Sequence, residues 1–141
     1  MTTPKGFVNQ DMSWVLEPLM ELPHVEHAIV LSGDGLVRGA SAGLDREAGE
    51  GASAMMSALQ GAARSVAAAF SGNSDPRLRQ VVVDTDEGYV FAIPAGANTV
   101  LCVFARPQVD MGVVTHYMQI QVSTLGRKVM HSETRDTGPR S

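Results

Sequence analysis

Three short apolar segments in the second half of the chain, separated only by turn residues, constrain the fold more than any other feature. They are RQVVVDT at 79–85, GYVFAIP at 88–94 and NTVLCVFA at 98–105, and each has the length and composition of a β-strand. DTDEG and PAGAN lie between them and supply the Gly, Asp, Asn and Pro that tight turns need. This spacing predicts a meander of three antiparallel strands.

The first half has two further strand segments, HVEHAIVLS at 24–32 and LVRGAS at 36–41, on either side of a glycine-rich stretch. The glycines of GDGLVRG suggest a phosphate-binding loop, but such a loop leads into a helix whose N-terminal amides bind the anion. Here a strand follows, and the chain has no Gly-Lys-Ser or Gly-Lys-Thr of a Walker loop. Asp34-Gly35 therefore predicts a hairpin turn.

Three segments have the apolar periodicity of amphipathic helices. The first is predicted over 10–22, with Asn9 or Asp11 as its cap and a kink or late start at Pro18, and the last is predicted over 109–130. The longest is predicted over 45–70.

The longest predicted helix has a clear beginning and end. Asp45 is a good N-cap, and Gly72-Asn73 provides the stop. Its apolar stripe includes residues 55, 59, 62 and 66, and we expect these four to face the sheet.

Together these elements predict one α/β (α+β) domain, in which helices cover the faces of a five-stranded sheet. A chain of 141 residues is long enough for one such domain. We expect a flexible N-terminus at 1–8, the domain at 9–131 and a flexible C-terminal tail at 132–141.

Composition excludes several functional classes. The net charge of -4, from 11 basic and 15 acidic residues, argues against a nucleic-acid binder. The apolar runs are too short to cross a bilayer, so we expect no stable membrane insertion and a cytoplasmic protein, recruited to the membrane only through partners.

No arrangement of residues points to catalysis. Cys102 is the one cysteine, so it can form neither an internal disulfide nor a multi-cysteine metal site, and its position within a strand indicates a core residue. The four histidines lack metal-ligand spacing, and Ser32 lacks the G-x-S-x-G elbow. We therefore expect no enzyme, no cofactor and no metal site, and a thiol enzyme based on Cys102 is the least favoured alternative.

Two features predict self-association. Val81, Val82 and Val83 run without alternation, so both faces of this strand should be covered, and at a sheet edge it would pair with another chain. The longest helix is rich in alanine and glycine, which would let a second helix approach closely. The expected dimer interface comprises Gln80, Val81, Val82, Val83, Ala52, Met56 and Ala63.

The element order and several motifs resemble the roadblock/dynein light chain family. The hairpin HAIVLSGDGLVRGAS is the most specific piece, followed by the Ala-rich helix and the QVVVDTDEGYVFAIPAGANTVLCVFA meander, and the resemblance covers about residues 9–131. The chain is similar to the stand-alone bacterial members, which are encoded beside Ras-like small GTPases and, in actinobacteria, beside a sensor-kinase-like protein.

The resemblance implies a profilin-like fold with strand order 2-1-5-4-3, the long helix on one face and the two terminal helices on the other. It also implies a homodimer in which the third strands pair and the long helices lie side by side. The implied partners are a Ras-like small GTPase and a sensor-kinase-like protein. Bacterial relatives can stimulate a GTPase without an arginine finger, so Arg64 is not assigned that role.

We expect the paired long helices to form the partner-binding platform, through Glu47, Glu50, Met55 and Arg64. The alternative is a small-ligand sensor of the PAS or GAF type, which also surrounds a five-stranded sheet with helices. Aromatic residues make up only 5% of the chain, which argues against a roomy ligand cavity.

Overall fold

The computed structural model describes residues 12–96 and 98–137, with side-chain surroundings described as far as residue 127. The predicted flexible segment 1–8 therefore lies outside the described residues. The elements of the described part follow in the order α1 (Ser13–Met20), β1 (Val25–Ser32), β2 (Val37–Ala40), α2 (Arg46–Ser71), β3 (Val81–Thr85), β4 (Gly88–Pro94), β5 (Thr99–Ala105) and α3 (Met111–Thr137).

The five strands form one antiparallel sheet in the order β2-β1-β5-β4-β3. The predicted meander and the strand order implied by the family resemblance are thus confirmed. β2 and β3 are the two edges. β2 has only four residues, and its register with β1 shifts between Val30 and Leu31, as at a β-bulge.

Each face of the sheet carries its own hydrophobic cluster. The terminal helices cover one face, where Leu19 of α1 and Met118 of α3 pack on Phe91 and neighbouring strand residues. α2 covers the other face, where Met56 packs on Leu31 and its neighbours. The predicted layering, one long helix opposite two terminal helices, is confirmed.

The glycine-rich stretch after β1 is a hairpin turn, as predicted. The Gly35 N–H donates to the Ser32 carbonyl at 2.9 Å, and the Ser32 N–H donates to the Leu36 carbonyl at 2.8 Å. Gly35 has a φ of 92°, which glycine adopts without steric cost. The turn is also tied to α2, because Ser57 Oγ donates to the Gly33 carbonyl at 2.6 Å.

Both ends of α2 follow the sequence prediction. The Asp45 side chain accepts a hydrogen bond from the Ala48 N–H at 3.1 Å, which makes Asp45 the N-cap. At the other end Gly72 adopts the left-handed conformation, and its N–H donates to the Ala68 carbonyl at 3.0 Å.

The terminal helices differ from their predicted limits. α1 begins at Ser13 with Met12 as its N-cap residue and contains Pro18, while the suggested caps Asn9 and Asp11 lie outside the described residues. α3 ends at Thr137 rather than at residue 130, so part of the predicted flexible tail is helical.

The longer α3 has a simple physical reason. The segment HSETRDT, 131–137, is polar, and polarity alone does not end a helix. Consecutive glycine and proline are a stronger stop signal, and after Gly126 this pair first occurs at Gly138-Pro139.

The packing of the hairpin turn on α2 makes Gly35 sensitive to substitution. A Cβ atom there would lie 3.1 Å from the Ala54 Cα, and the positive φ would be strained as well. We expect Gly35→Ala to lower the free energy of unfolding by about 1–3 kcal/mol in urea titrations followed by circular dichroism.

Gly61→Ala is the matched control, because a Cβ atom on Gly61 meets nothing within 4 Å and α2 gains helix propensity. It should leave stability unchanged or raise it by up to about 1 kcal/mol. Equal stability of Gly35→Ala and the unchanged protein would contradict the close contact between turn and helix.

Candidate functional site

β3 is an edge strand whose second side is open. Among residues 12–96 and 98–137 it pairs with β4 only, and Gln80 directly before it is exposed. Val82 is 37% exposed, and Val81 and Val83, which point to the opposite face, are half-buried. The expectation that both faces of this strand are covered is therefore wrong within a single chain, and an apolar strand with free backbone groups is left at the edge.

α2 contacts the sheet through a different face from the predicted one. Its buried residues are Gly49, Ser53, Met56 and Gln60. Residues 55, 59, 62 and 66, expected to face the sheet, are all exposed. Small side chains at 49 and 53 let the helix backbone lie close to the sheet and the hairpin turn, where larger apolar side chains would not fit.

The exposed apolar residues of α2 form a continuous row, here called the α2 stripe: Met55, Leu59, Ala62, Val66 and Phe70. Met55 is 75%, Leu59 37%, Val66 56% and Phe70 88% exposed. Their spacing of three or four residues places them along one side of the helix. Large apolar side chains gathered in one row on a surface indicate an interface rather than chance exposure.

The spacing of the α2 stripe can be read from the sequence. It predicts an apolar face but does not show whether the sheet or another molecule covers that face.

The other residues of α2 that were predicted to lie in the dimer interface differ in exposure. Ala52 is exposed beside the stripe and Ala63 is half-buried, whereas Met56 is buried in the core of its own chain. Met56 therefore offers little surface to a second molecule.

The partner-binding candidates do not share one side of α2. Glu47 is exposed, and Glu50 is exposed and paired with Arg46 at 3.1 Å. At about 100° per residue, Arg64 lies about 180° around the helix from Met55. Met55 belongs to the α2 stripe, and Glu50 and Arg64 lie on the opposite side, here called the polar flank.

The polar flank borders a cleft that sequence reasoning missed. Arg64 lines it together with Gln60, Asn98 and the glycines of two turns. Gln60 is a polar residue on the buried side of an Ala-rich helix, and nothing in its spacing distinguishes it from a surface glutamine.

The structure places few chemically active groups together. Within residues 12–96 and 98–137, no three His, Cys, Asp or Glu residues are arranged to hold a metal ion. No helix in this part is long and apolar enough to cross a membrane. A hydrogen bond from the Ser32 hydroxyl lowers the pKa of Asp34, and this pair stabilises the hairpin turn.

Cys102 is half-buried against the hydrophobic cluster beneath α2, and desolvation raises the pKa of its thiol to about 12. Its reactivity therefore tests the prediction that it is a core residue. The raised pKa favours the protonated thiol, so at pH 8 only about one molecule in ten thousand would carry the reactive thiolate. We expect alkylation by iodoacetamide at pH 8 to be at least about a hundredfold slower in the native protein than in guanidinium chloride. Rapid alkylation of the native protein, at the rate of a free thiol, would contradict this assignment.

Comparison with known proteins identifies a family. The sequence profile of the Roadblock/LC7 domain matches residues 13–105. The structure is similar to a Roadblock/LC7 domain from Streptomyces avermitilis, with 32% identity, a TM-score of 0.77 and coverage of 86% of this chain and 99% of that chain. A search of curated protein sequences gave no significant match.

Two more distant structures share the fold. MglB from Myxococcus xanthus is 13% identical with a TM-score of 0.73, and covers 87% of this chain and 97% of its own. An MglB in a tetrameric arrangement is 14% identical with a TM-score of 0.74, and covers 90% of this chain and 96% of its own. With the matching profile, the 32% identity to the Streptomyces domain and the observed strand order, this chain belongs to the Roadblock/LC7 family.

Proposed function

We propose that this protein is a non-catalytic homodimeric module that binds and modulates a Ras-like small GTPase in a bacterial signalling system. The observation that carries the proposal is the α2 stripe, an exposed apolar row in the described part of the chain, together with the open edge of β3. The Roadblock/LC7 membership supports the same role, since the family resemblance implies both a dimer and a GTPase partner.

The exposed apolar surface supports dimerisation on energetic grounds. Four large side chains of the α2 stripe are at least one-third exposed. Moving each from water into an interface contributes about 1–2 kcal/mol, because only part of each side chain is still accessible. The summed contribution of these side chains approaches the entropic cost of bringing two chains together. Pairing of the β3 edges would add backbone hydrogen bonds.

A twofold axis beside β3 would bury both the open edge of β3 and the α2 stripe. Antiparallel pairing of two β3 strands would join the sheets, and the two α2 helices would then lie side by side on the same face. This arrangement would bring each α2 stripe against its copy. Ala52, adjacent to the stripe, would permit close approach, as expected from its small side chain.

The comparisons lend support to self-association but not to every expected partner. One matched structure is of MglB in a tetrameric arrangement, so a chain of this fold can associate with copies of itself. The sensor-kinase-like partner and the PAS or GAF alternative have no support from the matched proteins.

The proposed GTPase surface is the outward side of the paired helices together with the polar flank. Burial of the α2 stripe in a dimer would leave Glu47, Glu50 and Arg64 accessible, while Met55 would be covered. Small residues at 51, 54 and 58 would let a partner approach the helix backbone. Exposed charges of both signs would contribute mainly to recognition and association rate.

We predict a dimer in solution, with light scattering after size exclusion giving about twice the 15.0 kDa chain mass. Leu59→Glu should shift the protein to the monomer, because it places a charge in the proposed apolar contact. Val82→Pro should weaken the dimer as well, since proline disrupts pairing at the β3 edge.

Ile120→Glu on α3 is the matched control, because Ile120 is 43% exposed and lies on the other face of the molecule. It should leave the mass unchanged. A monomer at micromolar concentration for the unchanged protein, or equal effects of Leu59→Glu and Ile120→Glu, would contradict the proposed interface.

The GTPase proposal is tested with any Ras-like small GTPase that a neighbouring gene encodes, loaded with GTP or GDP. We expect direct binding in calorimetry, with a preference for one nucleotide state. Charge reversal by Glu50→Arg or Arg64→Glu should weaken binding by about tenfold each while the dimer mass stays unchanged.

Glu87→Arg and Arg127→Glu provide matched charge reversals away from α2, and they should bind normally. Binding that survives both α2 changes but fails when α1 or α3 is altered would place the GTPase on the opposite face and contradict the proposed surface.

A further inference from the structure

A cleft lies beside the polar flank of α2, at the end of the sheet where the β1–β2 and β4–β5 turns meet the helix. Its inner part has a volume of about 210 Å³ and is lined by Gly33, Ser57, Gln60, Arg64 and Asn98, among others. An outer part of about 800 Å³ continues along the α2–β3 connection and includes Arg64 again, with Asp75 and Arg77.

Gln60 lines this cleft and carries an unsatisfied hydrogen-bond donor. The residue is 3% exposed, and its side-chain nitrogen Nε2 is buried without a hydrogen-bond partner among the described residues. Buried donors without partners are rare, because they lose water and gain nothing in exchange. Because Gln60 lines the inner cleft, an acceptor atom bound there would satisfy Nε2 once the side-chain amide turns toward it.

The charges around the cleft favour an anion. Arg64 lines both parts and Arg77 lines the outer part, and neither forms an ion pair within the described part of the chain. Asp75 is the acidic residue among the described lining groups. A guanidinium group offers paired N–H donors that match the oxygens of a carboxylate or phosphate.

The walls of the cleft are held in place before any ligand binds. Ser57 Oγ donates to the Gly33 carbonyl at 2.6 Å and ties the first turn to α2. The Gly33 N–H donates to the Asn98 carbonyl at 3.0 Å and joins the two turns. A Cβ atom on Gly33 would lie 2.2 Å from Asn98 Oδ1, so a larger residue there would displace the Asn98 side chain from the cleft wall.

We propose that this cleft binds an anionic group, a carboxylate or a phosphate, with Gln60 Nε2 and the Arg64 guanidinium as its donors. The inner volume suits one such group, and the outer part has room for the remainder of a larger ligand. The site does not depend on the proposed GTPase role. Its inner part also remains open in the proposed dimer, because Arg64 lies on the opposite side of α2 from the α2 stripe.

The test is a ¹H–¹⁵N NMR titration of the full chain with sodium phosphate and, separately, with sodium succinate, each compared with sodium chloride at equal ionic strength. We expect saturable shifts of the Gln60 side-chain amide with millimolar or tighter affinity. Arg64→Gln should weaken binding by at least about tenfold, whereas the matched control Arg127→Gln should bind as the unchanged protein does.

Gln60→Met separates binding from folding. It removes the unpaired donor at nearly constant volume, so the thermal midpoint should stay the same or rise while binding is lost. Because Arg64 is exposed, Arg64→Gln remains decisive even if Gln60→Met fails to fold.

Saturation by phosphate alone assigns the site to phosphoryl groups, and saturation by succinate alone assigns it to carboxylates, including acidic side chains of a protein partner. Either result supports the proposal. Shifts no different from those in sodium chloride, or binding unchanged in Arg64→Gln, would overturn it. Because no GTPase is present, either result leaves the proposed partner interaction to its own test.

Discussion

The close contact between α2 and the β1–β2 turn determines which surfaces this protein presents. Ser57 Oγ donates a hydrogen bond to the Gly33 carbonyl, and Gly35 fits against the helix backbone only because it has no side chain. With this contact made, the small and polar side of α2 is turned toward the sheet. The apolar side is then turned outward, and the polar flank is placed over the cleft. The proposed dimer surface, partner surface and anion site all follow from this one orientation.

Most of the fold could be predicted because local chemistry determines it. Asp34-Gly35 allows a tight turn, Asp45 and Gly72 limit α2, and the short connections between the last three strands leave an antiparallel meander as the simplest solution. These signals act over a few neighbouring residues, so they can be read along the chain without knowledge of tertiary contacts. The same reasoning placed the end of α3 too early, since it treated polar residues as a stop when only Gly138 and Pro139 interrupt the helical pattern.

The surfaces were harder to predict than the fold. An apolar row has the same spacing whether it packs on its own sheet or on another molecule, so Met55 and Val66 were assigned to the core and are exposed. Gln60 presents the reverse case, a polar residue that the tertiary structure buries. In both cases the deciding factor is the distance between α2 and the sheet, which depends on small residues both on the buried side of α2 and in the β1–β2 turn.

The short edge strand β2 has a consequence for the size of any assembly. A sheet that extends by strand pairing at both ends can grow without limit, and chains joined in that way form fibres. Pairing at β3 would use one end of each sheet, and the other end is β2, which has four residues, the bulge-like irregularity beside it and the charged residue Arg38. Such an edge is a poor template for a further strand. Growth by strand addition would therefore terminate after two chains, because the apolar edge at β3 accepts a further strand and the short irregular edge at β2 does not.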